Sequence, residues 1–302
     1  MNYRPLYLFS LLALLLAGCD SEQQERQQDI IAQEQATDAE TNAENTQALI
    51  ALYEAYLNDY PEDADNNPKY LYRKASLHYR MGDQAVATDL LQQALEQYPD
   101  SEVAPKVAYM LGGIYEEKLR DAASAQTVYQ AMQQAYPEAK EAKKAAKQLP
   151  AGLQPLPGRL EELRQSIYKE GEAGINYRMA NAYLNSAELH ALLLPEEPNT
   201  PELLYRAGEI ARAVRSFERA IALYQQLSEQ HSSHEYASKA LFMQAFTYDD
   251  DLNEYGRARA LYEQFLERYP EDDFADDAQV LLDNLGKNEQ EIIEQLTQPV
   301  SE

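Results

Sequence analysis

Few residues of this 302-residue chain have the types and spacing that catalytic or metal chemistry requires. The four histidines are His78, His190, His231 and His234, and only the last two are close in sequence. That pair falls in a predicted turn between helices without a third ligand, so we interpret it as surface loop and predict no metal site. The chain also lacks a Gly-rich phosphate loop, a nucleophile elbow and a zincin motif. We therefore predict that the protein is not an enzyme and holds no cofactor.

Residues 249–253 read Asp-Asp-Asp-Leu-Asn and superficially match the start of a calcium loop. Glu254 stands where such a loop needs its turn glycine, and Ala260 stands where it needs the bidentate glutamate. We interpret the three aspartates as a solvated loop at the end of a helix.

The charge balance excludes one class of partner. The chain has 26 Lys and Arg against 51 Asp and Glu, a formal net charge of −25. A general nucleic-acid binder needs a basic surface that displaces phosphate counterions, so we predict no nucleic-acid partner. Tyrosine supplies 23 residues and tryptophan none, so most large aromatic rings carry a polar tip.

The N-terminus has the features of an export signal. Arg4 precedes the apolar run 6–16, which is too short to span a bilayer. The run ends in Leu16-Ala17-Gly18-Cys19, which resembles a bacterial lipobox. This resemblance implies a signal peptide at 1–18, acylation of Cys19 and a location in the bacterial cell envelope. An ordinary signal peptide with a chance cysteine is the alternative.

Asp20 follows Cys19 directly, and an aspartate there signals inner-membrane retention only in some bacteria. The choice of membrane therefore stays open, and we favour the outer membrane over the inner. Residues 19–42 are rich in Gln, Glu and Ala, and we predict that they form a flexible tether. A partly helical extension is the alternative, since Ile30 and Ile31 are apolar and nothing breaks a helix.

The rest of the chain is repetitive. Tyr60-Pro61, Tyr98-Pro99 and Tyr136-Pro137 recur at a constant spacing, and His231 and Tyr269-Pro270 keep that spacing later. An amphipathic helical pattern precedes each site, and the proline stops the helix. Sustained alternation of β-branched residues is absent from the sequence. We therefore predict an all-α protein of helical hairpins.

The hairpins resemble tetratricopeptide repeats, which place small residues where their two helices, A and B, cross closely. The third unit reads Leu204, Ala207, Gly208, Ala211, Phe217, Ala220, Tyr224 and Leu227, and the fourth reads Leu241, Ala245, Tyr248, Ala258, Tyr262, Phe265 and Pro270. The first unit (Leu71, Ala75, Ala87, Leu91) and the second (Ala108, Gly112, Ala125, Tyr129) keep similar spacing. The resemblance implies a right-handed superhelical array whose A helices line a concave groove.

A longer repeat indicates a duplication, because a single shift of the sequence superposes 67–149 on 200–282 without a gap. We predict a first block at 43–149, a Pro-rich linker at 150–159 and a second block at 160–297. Helices at about 274–285 and 288–296 would cap the array.

One helix-A position holds an aromatic residue in every repeat: Tyr72, Tyr109, Tyr205 and Phe242. Lys106 and Lys239 occupy neighbouring groove positions. Aromatic rings flanked by cations suit an extended peptide, so these six residues form the predicted partner-binding groove. The alternative is that the rings pack against the preceding helix B.

The sequence thus favours a non-catalytic, lipid-anchored envelope scaffold that binds a protein or peptide partner. It is similar to the repeat lipoproteins that serve outer-membrane β-barrel assembly or hold peptidoglycan enzymes. The alternative is a glycan-binding lipoprotein of an outer-membrane uptake system.

Overall fold

The computed structural model describes residues 6–168 and 174–287, with side chains from residue 21 onward. Every regular element in these ranges is helical, which confirms the predicted all-α array of helical hairpins. In chain order the helices are α1 (Leu6–Ala39), α2 (Ala43–Asp59), α3 (Asn67–Met81), α4 (Gln84–Gln97), α5 (Ala104–Glu117), α6 (Ala122–Ala135), α7 (Lys140–Gln148), α8 (Leu156–Ile167), α9 (Tyr177–Leu193), α10 (Thr200–Ala213), α11 (Phe217–Gln230), α12 (Glu235–Phe246), α13 (Tyr255–Arg268) and α14 (Ala275–Asp283). A π-helical turn, Thr247–Asp251, follows α12 directly.

The chain divides into two compact units. Unit 1 contains the described residues up to Ala125 together with Tyr136–Ala146. Unit 2 contains Gln126–Ala135 and the described residues from Lys147 onward. Helix α8 begins at Leu156, inside the segment predicted as a linker. The predicted handedness and block boundaries stay predictions.

The core of unit 2 contains the residues that the repeat pattern predicts to be buried. Leu204, Ala207 and Ala211 of α10 are buried in one apolar cluster with Tyr224 and Leu227 of α11. These residues recur three or four apart along each helix, so each helix presents one apolar stripe to the other.

Close packing in this cluster requires a glycine. A Cβ atom on Gly208 would lie 2.3 Å from Cε1 of Tyr224, and that ring is fully buried. No real Cβ contact is that short, so any larger residue would displace the ring or the helix.

The recurring tyrosines join successive repeats. The Tyr98 hydroxyl donates to the Pro61 carbonyl at 3.2 Å, and the Tyr136 hydroxyl donates to the Pro99 carbonyl at 3.2 Å. In unit 2 the Tyr269 hydroxyl donates to the Ser232 carbonyl at 3.4 Å. The Tyr-Pro site therefore does more than end a helix, because its side chain reaches back to the end of the preceding repeat.

The turn between the two helices of each repeat contains one left-handed residue. These residues are Gly82, Arg120, Arg215 and Asn253, with φ between 53° and 91°. Only the first of these is a glycine. The other three turns therefore hold a residue with a side chain in the left-handed region, which glycine adopts most easily.

The N-terminal segment differs from the predicted flexible tether. Helix α1 runs to Ala39 and packs against α2, with Ile30 1% exposed in a cluster that includes Ile50 and Tyr53. Ile31 remains 50% exposed, so the helix buries only a narrow stripe.

Polar contacts supply the rest of this attachment. The amides of Gln23 and Gln27 donate to the Tyr56 hydroxyl at 2.9 and 2.7 Å. The Tyr53 hydroxyl donates to Glu34 at 2.6 Å, and Arg73 of α3 pairs with the same carboxylate. Burial is the main cause that raises the pKa of Tyr53, and the hydrogen bond to Glu34 raises it further. A segment with few apolar residues is therefore ordered through its glutamine and glutamate side chains.

The helices extend the duplication beyond the matching sequence. The same shift carries 43–59 onto 176–192, which nearly coincides with α9, and carries 140–148 onto 273–281, which overlaps α14. Helices α1–α7 thus correspond in order to α8–α14. The C-terminal helix predicted at about 274–285 is α14, and the one predicted at 288–296 lies outside the described residues.

Candidate functional site

The A helices of unit 1 lie side by side. Ser76 Oγ of α3 donates to Met110 Sδ of α5 at 3.6 Å. Lys144 Nζ of α7 lies 6.0 Å from the centroid of the Tyr109 ring on α5. Helices α3, α5 and α7 thus form one face, which we call the A face of unit 1.

Three predicted groove residues belong to this face. Tyr72 and Tyr109 are half-buried, and Lys106, one turn before Tyr109 on α5, is exposed. At the other end of α5, Lys118 Nζ lies 5.4 Å from the Tyr79 ring centroid. The face therefore combines partly accessible tyrosine rings with cations that contact them.

The predicted aromatic residues of unit 2 are packed inward. Phe242 is 8% exposed, and its ring centroid lies 4.9 Å from Phe274 and 5.7 Å from Phe265. Tyr205 is half-buried, 5.0 Å from the Tyr236 ring and 6.0 Å from the Tyr224 ring. Burial raises the pKa of Tyr205. For Phe242 in particular, the contacts match the packing alternative.

The cations of unit 2 near these rings are engaged within the unit. Lys239 Nζ lies 5.1 Å from the Tyr236 ring centroid. Arg212 lies over the Phe246 ring at 4.6 Å, donates to Asp250 at 2.9 Å and pairs with Asp251. This arginine therefore joins α10 to the turn after α12.

The three consecutive aspartates, predicted from the sequence as a loop, are instead part of the π-helical turn. The turn absorbs an extra residue at the end of α12 and directs two carboxylates at Arg212. The third, Asp249, accepts from the Tyr262 hydroxyl at 3.4 Å, and burial raises the pKa of Asp249. These contacts give the cluster a structural role.

The histidine pair lies at the turn before α12. His234 caps that helix, since its Nδ1 accepts from the Tyr236 amide at 3.3 Å. His231 is half-buried, and burial lowers its pKa. Among the described residues no three His, Cys, Asp or Glu side chains come together in a way that could hold a metal ion.

The Cys19 side chain lies outside the part of the chain whose side chains are described. Over the described ranges, none of the helices is both long and apolar enough to cross a membrane.

Two features of the surface are missing from the sequence prediction. A cavity of about 190 Å³ in unit 2 is lined by residues that include Leu160, Tyr183, Leu203, Arg164 and Arg206. Both arginines are already paired, with Glu161 and Glu202. The second feature is the row of lysines on α7. The spacing of these lysines along the helix sequence, Lys-Glu-Ala-Lys-Lys-Ala-Ala-Lys-Gln, is the signal that could have predicted it.

A family comparison identifies the hairpins. The tetratricopeptide repeat model matches residues 69–101 and 239–272. These two segments are tetratricopeptide repeats. They are the first and fourth of the four predicted repeats. They contain the helix pairs α3–α4 and α12–α13.

Two solved structures resemble the chain distantly. The TPR2AB-domain:pHSP90 complex of yeast Sti1 is 18% identical, with 87% of this chain and 98% of that chain covered and a TM-score of 0.33. BtubC (BKLC) from P. vanneervenii is 13% identical, with coverages of 74% and 88% and a TM-score of 0.28. No curated protein matches the sequence.

Proposed function

We propose that this protein is a non-catalytic scaffold, anchored by lipid in the bacterial cell envelope, that binds a protein partner through the A helices of its repeats. Tetratricopeptide repeats typically serve as interaction scaffolds rather than catalysts. The observation that carries the binding role is the A face of unit 1, where Tyr72 and Tyr109 are half-buried beside exposed Lys106.

The chemistry of this face suits an extended peptide segment. Tyrosine rings offer large contact area with little side-chain entropy to lose, and their hydroxyls add hydrogen bonds. Equivalent positions recur on α3 and α5, so one bound segment can contact both rings in succession.

In unit 2 the contacts favour a structural role for Tyr205 and Phe242. Truncating either would remove ring contacts that hold the unit together, so a loss of binding there would be hard to separate from unfolding. Lys239, lying over Tyr236, remains the proposed contact in that unit.

The membrane anchor rests on the Leu16–Cys19 motif. Cys19 lies four positions before Gln23, whose amide is bonded to Tyr56. Even a fully extended chain covers at most about 14 Å over that distance, so acylation of Cys19 would hold unit 1 close to the membrane surface. Because the chain is strongly acidic, the acyl chains must do the holding.

Fractionation tests the anchor. We expect Cys19→Ala to lose incorporation of an alkyne-labelled fatty acid and to remain unprocessed or leave the membrane fraction. Ser21→Ala should keep both properties. Membrane retention of a fully processed Cys19→Ala protein would contradict the anchor.

Partner recovery tests the binding face. We expect a Tyr72→Ala, Tyr109→Ala variant to keep its helical circular dichroism and lose the partner that the wild-type chain recovers from its native envelope. A matched control on α4, Gln93→Ala with Glu96→Ala, alters exposed residues of a B helix and should keep the partner. Equal recovery by both variants would refute the assignment of the face.

A further inference from the structure

Helix α7 concentrates positive charge in a strongly acidic chain. Lys140, Lys143 and Lys144 are exposed in unit 1, while Ala142 and Ala145 are buried. Positions three and four apart share one side of a helix, so the lysines form a row that the buried alanines hold outward.

The fold does not require lysine at these positions. The duplication aligns Lys140, Lys143 and Lys144 with Asp273, Asp276 and Asp277, which are also exposed. The buried Ala142 and Ala145 align with half-buried Ala275 and buried Ala278, so the packed side is kept while the exposed side is reversed in charge. Packing therefore explains the alanines but does not require the lysines.

The lysine row adjoins the A face of unit 1. Lys144 lies over the Tyr109 ring, and Lys106 is one turn from that ring on α5. Among the described residues, Lys140 and Lys143 make long ion pairs alone, 3.8 Å to Glu141 and 3.9 Å to Glu138. Both lysines are themselves exposed and both pairs are long, so the ammonium groups remain available to a ligand.

We propose that the A face of unit 1 selects an extended peptide segment rich in aspartate and glutamate, with Lys106, Lys140, Lys143 and Lys144 as its carboxylate contacts. This inference rests on the proposed function and names the chemistry of the partner. At physiological salt the Debye length is about 8 Å, so the net charge of −25 is screened and the local lysines decide the interaction.

An anionic membrane fits this surface less well. A helix that lies on a bilayer inserts an apolar side into it. Within α7, all of which the structure describes, no large apolar side chain is exposed. A second copy of the chain, presenting its α14 aspartates, is the other possible occupant and becomes an outcome of the test.

Peptide binding tests the proposal on the full acylated chain in detergent. The probes are a fluorescein-labelled dodecapeptide of alternating Glu and Ser and its Gln–Ser counterpart, measured by anisotropy at physiological salt. The test variant is Lys140→Gln, Lys143→Gln, Lys144→Gln. The control is Arg257→Gln, Arg259→Gln, Arg268→Gln, which removes the same charge from exposed positions of α13.

We expect the Glu peptide to bind at least about tenfold more tightly than the Gln peptide, since several weak charge pairs act together. The lysine variant should lose that preference with unchanged circular dichroism, and the arginine control should keep it. Equal binding of the two peptides, or a preference that survives the lysine variant, would overturn the proposal.

Two further measurements name the alternatives. Lysine-dependent binding to vesicles of equal parts phosphatidylcholine and phosphatidylglycerol, without peptide binding, would replace the peptide by a membrane. Lysine-dependent self-association in sedimentation would replace it by a second copy. If the lysine variant still recovers an envelope partner that the Tyr72→Ala, Tyr109→Ala variant loses, the scaffold function stands and the acidic segment does not.

Discussion

At the scale of single residues, Gly208 leaves no room for a side chain. An added Cβ would meet the buried Tyr224 ring at 2.3 Å. We expect Gly208→Ala to lower the free energy of unfolding by about 1–3 kcal/mol through overpacking, and Gly208→Leu to lower it further. Urea unfolding followed by circular dichroism measures both changes.

Gly256 provides the control for this prediction. It lies near the start of α13, and an added Cβ would meet nothing within 4 Å. Gly256→Ala should leave stability unchanged or raise it by up to about 1 kcal/mol, because alanine loses less backbone entropy in a helix. If the Gly208→Ala protein were as stable as the Gly256→Ala protein, the close approach of α10 to the Tyr224 ring would be refuted.

Residue exposure was the part of the site that the sequence could not predict. Tyr109 and Phe242 share one repeat position, yet the first is half-buried and the second is 8% exposed. Phe274 covers Phe242 at 4.9 Å, whereas the duplicated position in the first block holds Glu141. The covering residue lies far along the chain, just before α14, so the repeat pattern alone carries no sign of it.

At the scale of elements, the attachment of α1 depends on one narrow stripe. Ile30 is 1% exposed and the adjacent Ile31 is 50% exposed. We expect Ile30→Ala to lower the free energy of unfolding by about 2–5 kcal/mol and Ile31→Ala to change it by less than about 0.5 kcal/mol. Equal effects of the two variants in urea unfolding would favour the flexible tether.

The tyrosine contacts between repeats give a second test at this scale. Removing the Tyr136 hydroxyl that donates to the Pro99 carbonyl should cost about 0.5–1.5 kcal/mol in Tyr136→Phe. Tyr72→Phe is the control, because that hydroxyl makes no hydrogen bond with any residue the structure describes. Thermal unfolding of both variants measures the difference. Equal melting temperatures would show that this hydrogen bond does not stabilise the protein.

Helical periodicity predicted the hairpins because their apolar residues recur three and four apart over many turns. It missed the packing of α1, since Ile30 is the one apolar side chain buried among the α1 residues whose side chains the structure describes, and the other attachments are polar. It also missed the π-helical turn, whose extra residue leaves the apolar pattern of α12 unchanged.

At the scale of the whole molecule, the duplicated blocks share their helix order and differ in surface. The first block exposes lysines on α7 and keeps Tyr109 half-buried, whereas the second exposes aspartates on α14 and covers Phe242. This difference in charge on equivalent helices supports our proposal that partner binding belongs first to unit 1.

The central claim is that the A face of unit 1 contacts a protein partner. Site-specific photo-crosslinking in the native envelope tests it most directly, with a photoreactive residue replacing Tyr72 or Lys106 on the A face, or Glu96 on the exposed side of α4. We predict one discrete adduct from each A-face position and none from Glu96. Adducts from Glu96 alone, or none from either A-face position, would contradict the account.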